Sequence, residues 1–237
     1  MTRPSLASPP AAYKVSVMDT DTLSPRRKRR SQAERSADTR ARLIEAAIVC
    51  LHRLGYATTT VTEVAREAQV SRGAMTHQFA AKTDLMLAVV RAVFEKDGEH
   101  YRRSVDATSP FEWARTLPAT MWQVISQPSG VAVMEIMLAS RSDPDLAEKL
   151  RLIQQKIDVQ AHAWVLNRHR KAGIVERPDN EAIHRVFVAA VRGLALEAVF
   201  MLNREEVEKS IAVLSEILRH LYPERAPEPH GEHLDQA

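Results

Sequence analysis

Cysteine, glycine and long apolar runs are all scarce in this sequence of 237 residues. The single cysteine, Cys50, excludes an intramolecular disulfide framework and a zinc site built from cysteines, and it suits a reducing compartment. Only 7 glycines and few β-branched runs occur, which argues against a β-sandwich or a doubly wound sheet. Alanine, leucine, glutamate and arginine, most of them strong helix formers, dominate instead. We therefore predict an all-α protein.

Segments typical of a secretory signal or a membrane span are also missing. The N-terminal residues lack the apolar core of a signal peptide. The most apolar stretch, residues 186–202, is interrupted by Arg192 and Glu197 and falls short of the roughly 20 residues that cross a bilayer. We expect a cytoplasmic protein with no membrane partner.

Positive charge is concentrated at the front of the chain. Residues 1–37 have a net charge of +5, residues 38–88 of +1 and residues 89–237 of −3. Residues 1–37 are also rich in proline and serine, so we predict a disordered basic arm there, with Met18 as an alternative start. The arm is either a solvated tail without a specific role or a segment that attracts phosphates or enters a minor groove.

Three short helical patterns follow the arm. The first begins at Asp38 and is expected to stop at Gly55. Thr60 and Glu63 have the spacing of a capping box, which predicts a second helix of about two turns.

A tight connection leads from the second helix to the third. Ser71 is a good N-cap for this third helix, which we expect to reach Phe79. Two short helices joined in this way have the geometry of a helix-turn-helix. The residues expected to form the core of this three-helix head, residues 38–88, include Ala47, Val64, Met75 and Phe79, and Cys50 is expected to be buried as well.

Longer helical patterns make up residues 89–222, the predicted body, and residues 223–237 are a predicted flexible tail. Pro118 is expected to kink or divide the helix over residues 110–126. The patterns over residues 183–202 and 207–221 come last, and the first of them is apolar on nearly every side. A monomer would not tolerate such a surface, so we expect these two helices to form the interface of a homodimer.

The head carries a specific pattern of residues. It reads Ala46-Ala47, then Gly55-Tyr56-Ala57-Thr58-Thr59-Thr60-Val61, then Val64-Ala65-Arg66-Glu67-Ala68-Gln69-Val70-Ser71-Arg72-Gly73-Ala74-Met75, then Phe79 and Lys82. Over residues 39–89 this pattern resembles the TetR/AcrR family of bacterial transcriptional regulators. The resemblance implies an N-terminal three-helix DNA-binding head and a C-terminal helical domain for ligand binding and dimerisation.

The resemblance also implies which residues contact double-stranded DNA. The helix from Ser71 to Phe79 would lie in the major groove, where Arg72 would reach a guanine edge or a phosphate and Gly73 would let the backbone approach closely. The full set of candidate contact residues is Thr60, Ser71, Arg72, Gly73, Thr76, His77, Gln78 and Lys82. Thr76 and Gln78 stand where the family usually has tyrosine and histidine, so the operator sequence does not follow by analogy. His77 and Lys82 are alternatively solvated side chains without a DNA contact.

A second set of candidates belongs to the body. Methionine and tryptophan together suit an adaptable apolar cavity for a small-molecule effector, although ordinary core packing is the alternative for each residue. The candidate ligand-binding residues are Met121, Trp122, Met134, Met137, His162, Trp164 and Phe187. His162 lies one helical turn from Asp158 and is alternatively a core histidine with satisfied hydrogen bonds.

No motif indicates catalysis. A Gly-rich phosphate loop, a Gly-x-Ser-x-Gly elbow and a His-Glu-x-x-His motif are all absent from the sequence, so we expect neither an enzyme nor a cofactor. His230 and His233 in the tail would make only a weak metal site, and we predict no metal.

The sequence thus predicts a homodimeric DNA-binding regulator, with a repressor released from a palindromic operator by a small, lipophilic effector as the leading interpretation. Activation in place of repression stays open within this interpretation, and so do two alternatives of other classes. One is an architectural DNA binder that responds to no effector, and the other is a helical protein that binds or transforms small molecules and has a vestigial head.

Overall fold

The computed structural model describes residues 31–106, 109–200 and 203–223, and within these ranges it contains helices and no strand. The prediction of an all-α fold is therefore confirmed. The α-helices, in chain order, are α1 Gln32–Thr58, α2 Val61–Glu67, α3 Arg72–Gln78, α4 Lys82–Asp106, α5 Pro110–Arg115, α6 Leu117–Ile125, α7 Pro128–Ala139, α8 Pro144–Lys171, α9 Asn180–Phe200 and α10 Arg204–Leu221, with a 3₁₀ turn over Ser140–Ser142.

The first helix begins earlier than the sequence analysis predicts. Ser31 caps α1 through a complete capping box, in which its hydroxyl accepts from the Glu34 amide at 3.1 Å and the Glu34 carboxylate accepts from the Ser31 amide at 2.6 Å. The prediction of a disordered arm is wrong for residues 32–37, because this box starts a helix in front of the first apolar residues. Residues 1–30 of the predicted arm lie outside the described residues.

Gly55 kinks α1 instead of ending it. Its φ of +73° and ψ of 171° interrupt the helix, which then continues to Thr58. This backbone conformation is essentially restricted to glycine. The kink frees the amide of Tyr56, which donates to Oε2 of Glu135 on α7 at 2.8 Å.

The second helix has only half of its expected capping box. The Thr60 hydroxyl accepts from the Glu63 amide at 3.2 Å, as the spacing predicts. The Glu63 carboxylate, however, accepts from Arg66 at 2.5 Å, so its ion pair within α2 replaces the reciprocal bond to the cap.

Two apolar clusters hold the helices together. The head-side cluster joins α1–α3 to α4, α7 and the start of α8, and it includes Leu43, Ala47, Cys50, Val64, Met75, Phe79, Met86, Ile136 and Leu146. The body cluster joins α5, α6 and α7 to α8, α9 and α10, and it includes Trp113, Met121, Trp122, Met134, Phe187, Val191, Ile211 and Leu218. The predicted core residues of the head and the burial of Cys50 are thus confirmed.

The body follows the predicted pattern of breaks. The helical pattern over residues 110–126 is divided at Thr116, and Pro118 lies in the first turn of α6, where a missing amide costs nothing. Among the described helices none is long and apolar enough to cross a membrane. Of the predicted tail, the structure describes only Pro223.

The Gly55→Ala variant should be less stable than the unsubstituted protein, because the backbone at position 55 has a conformation that alanine rarely adopts. The added Cβ would also lie 3.3 Å from Oε2 of Glu135, which accepts the Tyr56 amide. We expect the free energy of unfolding to fall by about 1–3 kcal/mol in urea titrations.

Gly98→Ala is the matched control. Gly98 lies within α4, where the new Cβ would meet only the end of the Arg102 side chain at 3.5 Å. This change should be neutral or stabilising by up to ~1 kcal/mol. Equal stability of the Gly55→Ala variant and the unsubstituted protein would show that alanine adopts the kinked conformation without strain.

Candidate functional site

The turn between α2 and α3 is held by an arginine from α1. Gln69 occupies the left-handed region with φ of +53°, which lets the chain reverse direction sharply. The Arg42 guanidinium donates to the carbonyl oxygens of Ala68 and Gln69, and the second of these bonds is 3.3 Å long. These carbonyls end α2, so a cation there also opposes the negative end of the helix dipole.

Helix α3 presents one buried and one exposed face. Ser71 caps it, with its hydroxyl accepting from the Ala74 amide at 3.1 Å. Met75 and Phe79 are buried, which fixes the helix against α1 and α2. The exposed face carries Ser71, Arg72, Gly73, Thr76 and His77. Five predicted contact residues are therefore on or beside one solvent-facing surface.

Gly73 has open space where a side chain would stand. Among the residues that the structure describes, a Cβ built there would meet only the Ser71 hydroxyl, at 4.0 Å. Packing against the described residues therefore gives no reason for a glycine at this position. The reason given by the sequence analysis, close approach of another molecule to the backbone, stays compatible with the geometry.

Gln78 is directed toward α1. Its side-chain nitrogen Nε2 donates to the Ser36 hydroxyl at 2.8 Å, and its backbone carbonyl oxygen accepts from Arg40 at 3.2 Å. The Arg40 guanidinium also lies 4.3 Å from the ring centre of Phe79. The sequence analysis missed this role of Arg40, because no local pattern indicates a partner 38 residues away.

Lys82 lies against the kink of α1. Its ammonium donates to the Tyr56 carbonyl at 2.7 Å and stands 3.8 Å from the centre of the Tyr56 ring. Burial lowers the pKa of Lys82, and the carboxylate of Asp143 partly opposes this shift. Thr60, the remaining candidate in the head, is exposed at the start of α2.

The body contains a small cavity between α6, α8, α9 and α10, with a volume of about 20 Å³. Its apolar walls are Leu117, Pro118, Val165, Leu166, Ile183, Phe187 and Leu218, and its polar residues are His162, His169, Asn180, His184 and Tyr222. The Tyr222 hydroxyl donates to Oδ1 of Asn180 at 2.5 Å.

Burial keeps two histidines of this cavity, His169 and His184, uncharged at neutral pH. Burial, and then the nearby rings of His184 and His162, lower the pKa of His169 to about 4. Burial likewise lowers the pKa of His184 and raises that of Tyr222. Desolvation dominates each shift because a buried charge loses its hydration.

Only two predicted ligand-binding residues, His162 and Phe187, line this cavity. Met121, Trp122 and Met134 are buried in the body cluster, and Trp164 packs edge-on against Trp113 with ring centres 4.9 Å apart. Met137 packs against the head-side cluster.

The sequence analysis missed His169, His184, Asn180 and Tyr222. A signal existed for His169, because it follows His162 by seven residues and so lies on the same face of α8. Asn180 and Tyr222 are brought together across 42 residues, and no local pattern indicates that contact. The described residues include no group of three or more His, Cys, Asp or Glu side chains that could hold a metal ion.

Helices α9 and α10 expose large apolar side chains. Phe200 is 78% exposed, and the others are Val186, Leu196, Val199, Val213 and Ile217. Together they form an apolar surface on the two helices that the sequence analysis assigned to a dimer interface.

Comparisons with known proteins agree with this architecture. The family model described as bacterial regulatory proteins of the tetR family matches residues 43–89, which contain the second half of α1 together with α2, α3 and the start of α4. The HTH-type transcriptional regulator CymR of Pseudomonas putida is 30% identical over 198 residues, which span 82% of this chain and 96% of that protein.

Solved structures share the fold. A putative transcriptional regulator from Saccharomonospora viridis, solved in complex with choline, has a TM-score of 0.63 at 16% identity over 80% of this chain and 100% of its own. The regulator in a structure described as a SmeT–triclosan complex has a TM-score of 0.58 at 25% identity over 81% of this chain and 100% of its own.

The relative from Pseudomonas putida matches along nearly its whole length, and the described residues form a head with an exposed, capped third helix and a helical body. The chain therefore belongs to the tetR family of bacterial regulatory proteins, which are DNA-binding transcriptional regulators.

Proposed function

We propose that this regulator is a repressor that binds a palindromic operator as a homodimer and leaves it when a small, lipophilic effector enters the body. The observation that carries the proposal is the exposed face of α3. Its apolar residues all pack inward, while Arg72, Gly73, Thr76 and His77 face solvent on a helix capped by Ser71.

This face has the chemistry that reads a major groove. An arginine can form two hydrogen bonds to one guanine edge, which contributes about 1–3 kcal/mol of discrimination. The bare backbone at Gly73 permits the helix to approach the bases closely. Thr60 and Ser71 cap the two helix starts, where backbone amides and hydroxyls suit phosphate oxygens.

Dimerisation explains the exposed apolar surface of α9 and α10. Leaving Phe200, Val199 and Val186 in water is unfavourable, and a second copy of the same surface would bury all of them. Two heads related by a two-fold axis would meet successive major grooves about 34–36 Å apart, which requires a palindromic operator.

The effector acts by shifting the population of two conformers. The cavity lies between α6, α8, α9 and α10, and α6 contacts α7, which packs along α1 of the head. A ligand that favours an opened cavity would favour a different spacing of the heads, with a coupling of about 1–3 kcal/mol. The choline and triclosan complexes of similar folds show that those proteins take small molecules.

Selection of genomic DNA fragments with the purified full chain tests the proposal. We expect enrichment of an inverted repeat whose half-sites are about one helical turn apart, because two related heads read it. A binding profile without sequence preference would favour an architectural DNA binder, and an absence of DNA binding would favour a vestigial head.

Gly73→Ala should separate folding from DNA binding. The new methyl group meets none of the described residues closer than 4.0 Å, so the free energy of unfolding should stay constant or rise. Affinity for the selected operator should fall at least tenfold, since the methyl group holds the helix away from the bases. Unchanged operator affinity would remove Gly73 from the interface.

Lys82→Ala tests the phosphate contact carried by the start of α4. If the ammonium leaves Tyr56 for a phosphate, the variant should bind all DNA sequences more weakly, and the slope of log affinity against log salt should shrink by about 1. Lys149→Ala is the matched control, because it removes the same charge from an exposed pair on α8 and should leave the slope unaltered. An unaltered slope for Lys82→Ala would show that Lys82 contacts no phosphate and only holds the Tyr56 carbonyl at the kink.

A further inference from the structure

The polar end of the body cavity contains hydrogen-bonding atoms that the protein does not use. His169 and Asn180 both line the cavity, and each has only 6% of its surface exposed to solvent. Neither ring nitrogen of His169, nor Nδ2 of Asn180, nor Nδ1 of His162 has a hydrogen-bonding partner among the residues that the structure describes. Buried polar atoms are nearly always paired, so this cluster indicates a site for another molecule.

The donors and acceptors at this end form a definite set. Oδ1 of Asn180 already accepts from Tyr222, which leaves the two N–H groups of its amide. A neutral imidazole adds one N–H donor and one bare nitrogen acceptor. A hydroxyl can accept from an N–H of Asn180 and donate to the bare nitrogen of His169, so a single O–H group satisfies one unused donor and the unused acceptor of this set.

Fixed charge is absent from the cavity walls. None of the described lining residues is Lys, Arg, Asp or Glu, and burial lowers the pKa of His169 and His184, which keeps both neutral. Three charged groups act on the pKa of His184, namely Asp158 of α8 and Arg185 and Arg192 of α9; the carboxylate opposes the two guanidinium groups, and none of the three lines the cavity. A charged ligand would lose its hydration here without gaining a partner of opposite charge.

We propose that this cavity binds an uncharged small molecule that combines an apolar body with one O–H group, the hydroxyl being held by Asn180 and the His169 imidazole. The proposal rests on the proposed response to an effector and names the chemical class of that effector. The apolar body would lie between Phe187, Ile183 and Leu218, which line the remainder of the cavity.

The size of the cavity links this ligand to a conformational change. A volume of about 20 Å³ holds a group no larger than one hydroxyl or water. The apolar body of the ligand must therefore separate α9 and α10 from α6 and α8. The ligand therefore binds the opened conformer selectively. Because α9 and α10 also carry the exposed apolar surface, opening the cavity shifts the arrangement of the proposed dimer.

Isothermal titration of the full chain at pH 7.5 with four naphthalene compounds tests the ligand class. The compounds are 1-naphthol, 1-methoxynaphthalene, 1-naphthoate and 1-naphthylmethylammonium, which share the apolar body and differ in the polar group. We expect 1-naphthol to bind about tenfold or more tightly than each of the others. The same comparison with 1-octanol, 1-methoxyoctane, octanoate and octylammonium covers a flexible body.

Two variants test the assigned residues. His169→Phe should bind 1-naphthol and 1-methoxynaphthalene with equal affinity, because a planar aromatic ring is retained while the nitrogen that accepts from the hydroxyl is lost. Asn180→Asp should shift the preference toward 1-naphthylmethylammonium, because a buried carboxylate replaces the amide. His220→Phe, at a 77% exposed side chain of α10, is the matched control and should keep the preference for 1-naphthol.

Several results would overturn the proposal. Tighter or equal binding of the carboxylates or ammonium compounds by the unsubstituted chain would do so, as would an absence of binding by both series. A folded His169→Phe variant that still prefers 1-naphthol to its methyl ether as strongly as the unsubstituted chain does would also overturn it. If a variant fails to fold, the titrations of the unsubstituted chain alone test the proposal. Operator affinity measured without ligand stays a separate test, so the ligand class and the regulator function fail independently.

Discussion

The backbone of Tyr56 is held from both sides, and the arrangement of head and body depends on this constraint. Its amide donates to Glu135 of α7, and its carbonyl accepts from Lys82 at the start of α4. Both bonds involve charged side chains, which makes each stronger than a bond between neutral groups. These two bonds beside the kink at Gly55 fix α1 to the start of α4 and to α7 of the body.

Helix α7 connects this constraint to the interior of the body. Three consecutive residues of α7 make different contacts. Met134 packs in the body cluster, Glu135 accepts a hydrogen bond from the Tyr56 amide, and Ile136 packs in the head-side cluster. These three residues therefore form a short, contiguous series of contacts between the body cluster and α1, and α1 in turn carries the arginines that hold α2 and α3.

Local chemistry determined what the sequence could predict. Periodicity, the caps at Thr60 and Ser71, and Pro118 each act over a few residues, so they predicted the helices, the helix-turn-helix and the division of the helix before α6. The capping box at Ser31 was readable but lay in front of the apolar pattern. The bonds of Gln78 and Lys82 and the convergence of His169, Asn180 and Tyr222 depend on packing between distant segments, which periodicity does not encode.

The single thiol of the chain has a practical consequence. Cys50 is fully buried in the head-side cluster, and burial raises its pKa, so little nucleophilic thiolate forms at neutral pH. Maleimide reagents would therefore leave the native chain unlabelled while attaching to a cysteine introduced on an exposed surface. Paired spin labels or fluorophores at such a position would report the separation of the two heads in the proposed dimer, and Cys50 would not have to be replaced.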